Sequence, residues 1–182
     1  MFDFQPKLAG CLLEMRGYEP ADWPRLKAAA SDPLIWDQHP IHRNWNEEFF
    51  AKSVNDSLSR GEGMIAIDRA SGEVAGYSRF TTQFVEEGEV EIGWTFLVRR
   101  YWGGKHNLEM KKMMLRHALE FWPIVIFRIG ESNFRSQRAL EKIGGKRVDR
   151  MSVVDFNGEK LNHFCYKIGR SDLQSLEGQA ND

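Results

Sequence analysis

The residues of this sequence best suited to bind a ligand stand in the run 98–107, VRRYWGGKHN. It separates a strand-like segment, 89–98, from a helix-like one that begins near His106. The first four backbone N–H groups of a helix lack partners within it, and the helix dipole adds partial positive charge there. Gly103 and Gly104 carry no side chain that would keep a ligand from this backbone. The run therefore predicts a seat for a phosphate or pyrophosphate.

The charges around this run support an anionic ligand. The segment from Arg99 to His117 contains one acidic residue, Glu109. It contains six Lys and Arg residues: Arg99, Arg100, Lys105, Lys111, Lys112 and Arg116. A strand-to-helix turn with a solvated basic face is the alternative interpretation. Two other phosphate-binding loops are excluded, because His106 follows Gly104-Lys105 where a P-loop needs Ser or Thr, and GxGxxG is absent.

The whole chain has the properties of one globular domain. Its 182 residues suit a single domain, and its formal charge of −1 argues against nucleic acid or an anionic membrane as partner. No secretory signal or membrane-spanning run is visible. Cys11 and Cys165 are expected to be reduced thiols in a cytoplasmic protein. We expect the domain to cover 1–168 and a polar, frayed tail to cover 169–182.

Hydrophobic spacing and turn residues predict alternating strands and helices, in the order β-α-α-β-β-β-α-β-α-β-β. This order indicates an α/β fold. The predicted strands and helices occupy 11–18, 19–32, 46–60, two strands around Ser71-Gly72, 89–98, the helix from His106, 124–129, 133–145, and a final strand pair around Asn157-Gly158.

Three motifs together resemble the GNAT family of N-acetyltransferases. Arg100–Lys105 matches the family loop [QR]-x-x-G-x-[GA] except that lysine ends it. Glu91–Leu97 is similar to the family's fourth strand. Asn133–Ser136, followed by Ala139-Leu140 and Ile143-Gly144, is similar to its second cofactor segment. The resemblance covers roughly 11–167 and is strongest to the branch of ribosomal-protein N-terminal acetyltransferases.

The resemblance implies the GNAT acyl-CoA N-acyltransferase fold, an α/β fold. Its mixed, mostly antiparallel sheet has helices on both faces and fourth and fifth strands that splay apart. It also implies acetyl-CoA as acyl donor. The pantetheine arm would bond the backbone of Phe96, Leu97 and Val98, and Asn133 would contact the arm. The pyrophosphate would meet backbone N–H groups at Arg100, Gly103, Gly104, Lys105, His106 and Asn107.

Acetyl transfer to an amine requires removal of a proton and a donor for the oxyanion. Glu91 stands where many relatives carry a glutamate and is the candidate base, with Glu89 as the fallback. A backbone N–H near Leu97 or Val98 is the candidate oxyanion donor. Many relatives place a tyrosine acid where Leu140 stands, so Ser136 is the nearest candidate acid.

The acceptor is expected to be an amine, either a peptide N-terminus or a small molecule, and direct attack needs no covalent enzyme intermediate. The candidate acceptor wall combines aromatic and charged residues: Trp36, Asp37, His39, His42, Trp45, Phe84, Glu86 and Glu87. The alternative is that these tryptophans fill the core and the carboxylates are solvated. No Cys/His cluster predicts a metal site. A homodimer through the late strands, and a CoA-binding sensor without turnover, remain open.

Overall fold

A computed structural model of the chain describes residues 1–39, 46–156 and 159–178. Their eight strands form one sheet in the order β1-β2-β3-β4-β5-β6-β8-β7. Neighbouring strands are antiparallel except β5 and β6, which are parallel. The strands are β1 Leu8–Ala9, β2 Leu13–Gly17, β3 Gly63–Asp68, β4 Val74–Thr81, β5 Glu89–Leu97, β6 Ile124–Gly130, β7 Lys146–Phe156 and β8 Glu159–Gly169.

Helices cover both faces of this sheet, as predicted. The five α-helices within the described ranges are α1 Trp23–Ala30, α2 Glu47–Ser59, α3 Lys105–Phe121, α4 Phe134–Glu141 and α5 Arg170–Gly178. One hydrophobic core joins α3, α4 and α5 to one face and includes Met114 and Leu140. A second core joins α1 and α2 to the other face and includes Phe50 and Phe96. The mixed, mostly antiparallel α/β fold predicted from the sequence is therefore confirmed.

The parallel pairing of β5 and β6 is short. It joins only Glu89–Glu91 to Ile124–Ile126. Past this point β5 carries a bulge, where Trp94 and Thr95 together lie opposite Ser78 of β4. Trp94 has φ +53°, a left-handed conformation that is rare outside glycine. The two strands therefore separate after Glu91, and β5 is the strand predicted as the fourth, counted without the two-residue β1.

The chain end departs from its prediction. We expected a frayed tail over 169–182, but Arg170–Gly178 forms a helix and Leu173 is buried in the core. Arg170 also donates from Nε to the carbonyl of Leu119, 2.7 Å away. Two leucines among polar residues, Leu173 and Leu176, carry little periodic signal, so the anchor was not visible in the sequence. Residues 179–182 and the turn Asn157-Gly158 lie outside the described part of the chain.

Candidate active site

A cavity of about 260 Å³ opens where β5 and β6 separate. We call this opening the β5–β6 gap, bounded by 92–97 on β5 and 127–130 on β6. The strands' inner edges are unpaired with each other there, and a ligand can take their hydrogen bonds. The other lining residues come from α3, α4, β8 and two loops: Ile35, Trp36, His39, Trp102, Gly103, Asn107, Lys111, Asn133, Arg135, Ser136, Ala139, Leu140, Ile143 and His163.

The N-terminus of α3 opens at one side of this cavity. Gly103 has φ +68°, which a side chain would strain, and Gly104 is the N-cap residue. No side chain caps the helix, so its first N–H groups remain available to an anion. Gly103 and Asn107 line the cavity, and a methyl group added at Gly103 would meet no atom within 4 Å. The predicted seat is therefore geometrically open.

The basic side chains of this loop do not themselves line the cavity. Arg100 pairs with Glu73 on the surface, and Arg99 pairs with Asp32. The His106 ring lies 4.5 Å from that of Tyr101, with its Nε2 3.3 Å from an Asp68 oxygen. Gly104, Lys105 and His106 can contribute through backbone N–H groups at the start of α3, as predicted for the seat.

The backbone of β5 and the residue after it separates the predicted pantetheine contacts into groups that face the gap and groups that face away from it. Val98 donates its N–H to the carbonyl of Ala75 on β4, at 2.8 Å, so it faces away from the gap. Consecutive residues of a strand point their N–H and C=O groups to opposite edges. Leu97 therefore faces the gap, where its carbonyl accepts from the indole Nε1 of Trp102 at 2.8 Å. Phe96 and Leu97 both line the cavity, but Val98 does not.

The second predicted cofactor segment lines the opposite side of the cavity. The side-chain oxygen of Asn133 accepts from the N–H of Ser136 at 3.1 Å and so caps α4. Both residues line the cavity, as does Leu140 behind them. The Asn133 amide nitrogen remains as a donor for a ligand.

Glu91 lies beside the gap rather than in its lining. Its side chain is 4 % exposed and accepts from Arg128 Nε at 2.8 Å and Nη2 at 2.7 Å. Burial raises the pKa of the Glu91 carboxyl, and the Arg128 guanidinium opposes that rise. Alternation along β5 places Glu91 on the sheet face away from α3. The sequence fallback, Glu89, is buried on the same face and pairs with Arg150 at 2.9 Å.

Two titratable residues of the cavity were missed in the sequence. Lys111 of α3 is 8 % exposed and lines the gap, but in the sequence it looked like one more residue of a basic helix. His163 of β8 also lines the cavity. Its Nδ1–H donates to the Leu161 carbonyl at 3.1 Å, which leaves Nε2 as an acceptor. Burial lowers the pKa of His163, so its neutral form dominates at pH 7.

The predicted acceptor wall is only partly assembled. Trp36 is a core residue, 6 % exposed, whose indole donates to Ala30, although it also touches the cavity with His39. Asp37 pairs with Arg135 at 3.1 Å and Glu86 with Arg150 at 2.7 Å. Phe84 is 83 % exposed, with Arg128 over its ring at 5.5 Å. Glu87 is exposed. His42 and Trp45 lie outside the described residues.

A family model for the acetyltransferase (GNAT) domain matches residues 13–146. The chain belongs to the GNAT family. It is thus an acetyltransferase, and transfer from acetyl-CoA to an amine is general for its family. The match spans β2 through the start of β7 and includes the whole β5–β6 gap except its β8 wall. A search of curated proteins finds no match.

Solved structures share the fold at low sequence identity. A GCN5-related N-acetyltransferase from Brucella melitensis has 15% identity and a TM-score of 0.81, covering 96% of this chain and 83% of that one. A candidate ribosomal-protein-serine acetyltransferase from Vibrio cholerae has 13% identity and a TM-score of 0.69, with coverages of 93% and 99%. RimJ from Mycobacterium smegmatis, in complex with CoA-disulfide, has 13% identity and a TM-score of 0.69, with coverages of 99% and 98%.

Membrane-spanning helices and metal centres are two other features that would bear on function. None of the helices in the described ranges is long and apolar enough to cross a membrane. Within the same ranges, no group of three or more His, Cys, Asp or Glu residues could hold a metal ion.

Proposed function

We propose that this acetyltransferase moves the acetyl group of acetyl-CoA to a primary amine, on a peptide N-terminus or a small molecule, by direct attack. The observation that carries the proposal is the β5–β6 gap, which continues from the open N-terminus of α3 along the unpaired edge of β5. The pyrophosphate fits the first turn of α3, and the pantetheine arm fits the gap. The thioester supplies an activated acetyl group.

Leu97 is the candidate donor for the oxyanion. Its N–H faces the gap by strand alternation, whereas the N–H of Val98 is bonded to Ala75. A backbone N–H held by a sheet is fixed before the reaction begins, which is what stabilises developing negative charge. Of the two donors predicted from the sequence, only Leu97 keeps this role.

The acceptor amine must lose a proton, and two groups can take it. Glu91 is the base proposed from the sequence, and burial makes its carboxylate a stronger base than an exposed one. Because Arg128 occupies one oxygen, Glu91 would act through water or through its other oxygen. His163 lines the cavity, with Nε2 as a neutral acceptor. We place the base at Glu91 and keep His163 as the alternative.

The sequence motifs bear on the choice of acceptor. The similarity of the sequence motifs to ribosomal-protein N-terminal acetyltransferases favours a peptide N-terminus. The fold likeness to RimJ agrees with that choice but is shared by acetyltransferases in general. Arg128 above Phe84 and the ring of His39 give the acceptor side both charge and aromatic surface.

Release of free CoA thiol tests the proposal. Acetyl-CoA is supplied with a panel of peptides and small amines, and each mixture is repeated with the amine blocked. We expect thiol release and a mass gain of one acetyl group only where a free primary amine is present. Succinyl-CoA in parallel tests the choice of acyl group. Tight CoA binding without release across the panel would favour the sensor instead.

A further inference from the structure

Lys111 is a buried lysine without a counter-charge among the residues that the structure describes. It is 8 % exposed, and its Nζ donates to the Thr95 hydroxyl at 2.8 Å and lies 5.1 Å from the centre of the Phe127 ring. The other ionisable side chains that line the cavity are basic: His39, Arg128, Arg135 and His163. No carboxylate lines the described part of this cavity, so nothing there neutralises an ammonium group.

Burial alone sets the titration of this lysine. Moving an ammonium group out of water disfavours its charged form, which lowers the pKa of Lys111 to about 7. A thiol has a pKa of about 8.5. A proton on Lys111 would therefore pass downhill to a thiolate beside it. An ordinary exposed lysine, with a pKa of about 10.4, would pass it uphill.

The position of Nζ is fixed at the bulge of β5. Thr95 lies 2.7 Å from the Ser78 hydroxyl, and Ser78 donates to the carbonyl of Gly93 at 3.3 Å. These contacts join α3, β5 and β4 at the point where the strands have separated. Lys111 is also six residues, or about 9 Å, along α3 from Lys105 at the open N-terminus. A pantetheine arm that enters at that terminus therefore runs toward Lys111.

We propose that Lys111 is the catalytic acid that protonates the sulfur of coenzyme A. The inference rests on the proposed function. The amine nitrogen bonds to the acetyl carbon, the carbon–sulfur bond breaks, and sulfur keeps that electron pair. The Lys111 ammonium then gives its proton to the thiolate and is left neutral. The proton taken from the acceptor amine leaves through the base on the opposite sheet face, and Lys111 regains a proton from solvent before the next turnover.

This assignment replaces the acid predicted from the sequence. The Ser136 hydroxyl is less acidic than a thiol and would donate uphill, and Leu140 cannot donate at all. Lys111 and Ser136 both line the cavity, but only Lys111 combines a transferable proton with a fixed position at the bulge. The acid would thus come from α3 rather than α4.

The pH dependence of kcat tests the role in catalysis. An acid must be protonated, so wild-type kcat should fall as pH rises through the pKa of Lys111 in the complex. Lys111→Met should lower kcat by about 100-fold and remove this alkaline limb, with little change in the KM for acetyl-CoA. Lys112→Met, at the adjacent and partly exposed position, is the matched control and should keep both. An alkaline limb that persists in Lys111→Met overturns the proposal.

A binding measurement separates this proposal from the proposed function. At pH 8 wild type should bind CoA about tenfold more tightly than desulfo-CoA, because the neutral Lys111 amine can accept a hydrogen bond from the thiol, which desulfo-CoA lacks. Lys111→Met should lose this preference. The same preference in both proteins overturns the role of Lys111 whether or not any amine is acetylated. If only wild type prefers CoA over desulfo-CoA but no amine causes thiol release, the proposed function alone is contradicted.

The variant also carries its own folding control. The folded pKa of about 7 lies below the unfolded one, so wild type gains stability as pH rises from 7 to 10 while the folded lysine is neutral. Lys111→Met should therefore melt at least roughly 2 °C higher at pH 7, with a smaller gain at pH 10. A lower melting temperature than wild type at pH 7 would contradict burial of an unpaired lysine.

Discussion

At the scale of single residues, the sequence predicted the cavity-lining residues that belong to contiguous motifs and missed those defined by burial. Gly103 and Asn133 belong to motifs that stand contiguously in the chain, and both line the cavity. The pKa values of Lys111 and His163 are lowered because segments distant in sequence bury these side chains. Nothing in their neighbouring residues shows that burial, so no reading of spacing could have singled them out.

Glu91 and His163 compete for the role of base, and conservative variants distinguish them. If Glu91 is the base, Glu91→Gln should lower kcat/KM at least about 100-fold and remove the acidic limb of its pH profile. On that limb the activity falls with decreasing pH because the Glu91 carboxylate becomes protonated. Burial raises the pKa of this carboxyl above its ordinary value of 4.5. Glu89→Gln, equally buried on the same face, is the control and should stay active.

The opposite pattern would assign the role of general base to His163. Loss of the acidic limb in His163→Gln, together with a normal profile in Glu91→Gln, would leave Glu91 only as the group that holds Arg128.

At the scale of elements, hydrophobic spacing predicted nearly every helix and strand, including β5 and the helix after its loop. Contacts between elements were not visible. Glu109 of α3 counted in the sequence as the lone acid among basic residues. In the structure its carboxylate accepts three backbone N–H groups, from Cys11, Leu12 and Leu13, each at 2.8 Å. It thus attaches the start of β2 to the helix whose N-terminus is the proposed anion seat.

Removing this carboxylate should destabilise the fold. Glu109→Ala leaves three N–H groups without their acceptor, which should cost about 2 kcal/mol of unfolding free energy, or roughly 4–8 °C. Glu120→Ala, at an exposed position of the same helix, is the control and should stay within roughly 0.5 kcal/mol of wild type. Thermal melting of both variants measures the difference, and equal shifts would contradict an anchoring role for Glu109.

At the scale of the whole molecule, the fold followed from the order of elements together with the family motifs. The residues that complete the candidate active-site cavity come from segments far apart in the chain, including Ile35 and His163. These residues come together because the sheet has the order β5-β6-β8. In this order β5 and β6 separate from each other, and β8 lies beside β6 and borders the cavity. The contiguous motifs therefore predicted one part of the cavity lining, whereas the residues that complete the lining could not be predicted from them.

The central claim is that acetyl-CoA lies in the β5–β6 gap, and calorimetric titration of acetyl-CoA tests it most directly. Ala139→Trp places a large ring in the cavity lining from α4, whereas Arg138→Trp puts the same ring on the exposed side of α4. Wild type and Arg138→Trp should bind acetyl-CoA alike, and Ala139→Trp should bind at least about tenfold more weakly, a loss of about 1.4 kcal/mol. Equal affinity in all three proteins would contradict the placement of the cofactor in the gap.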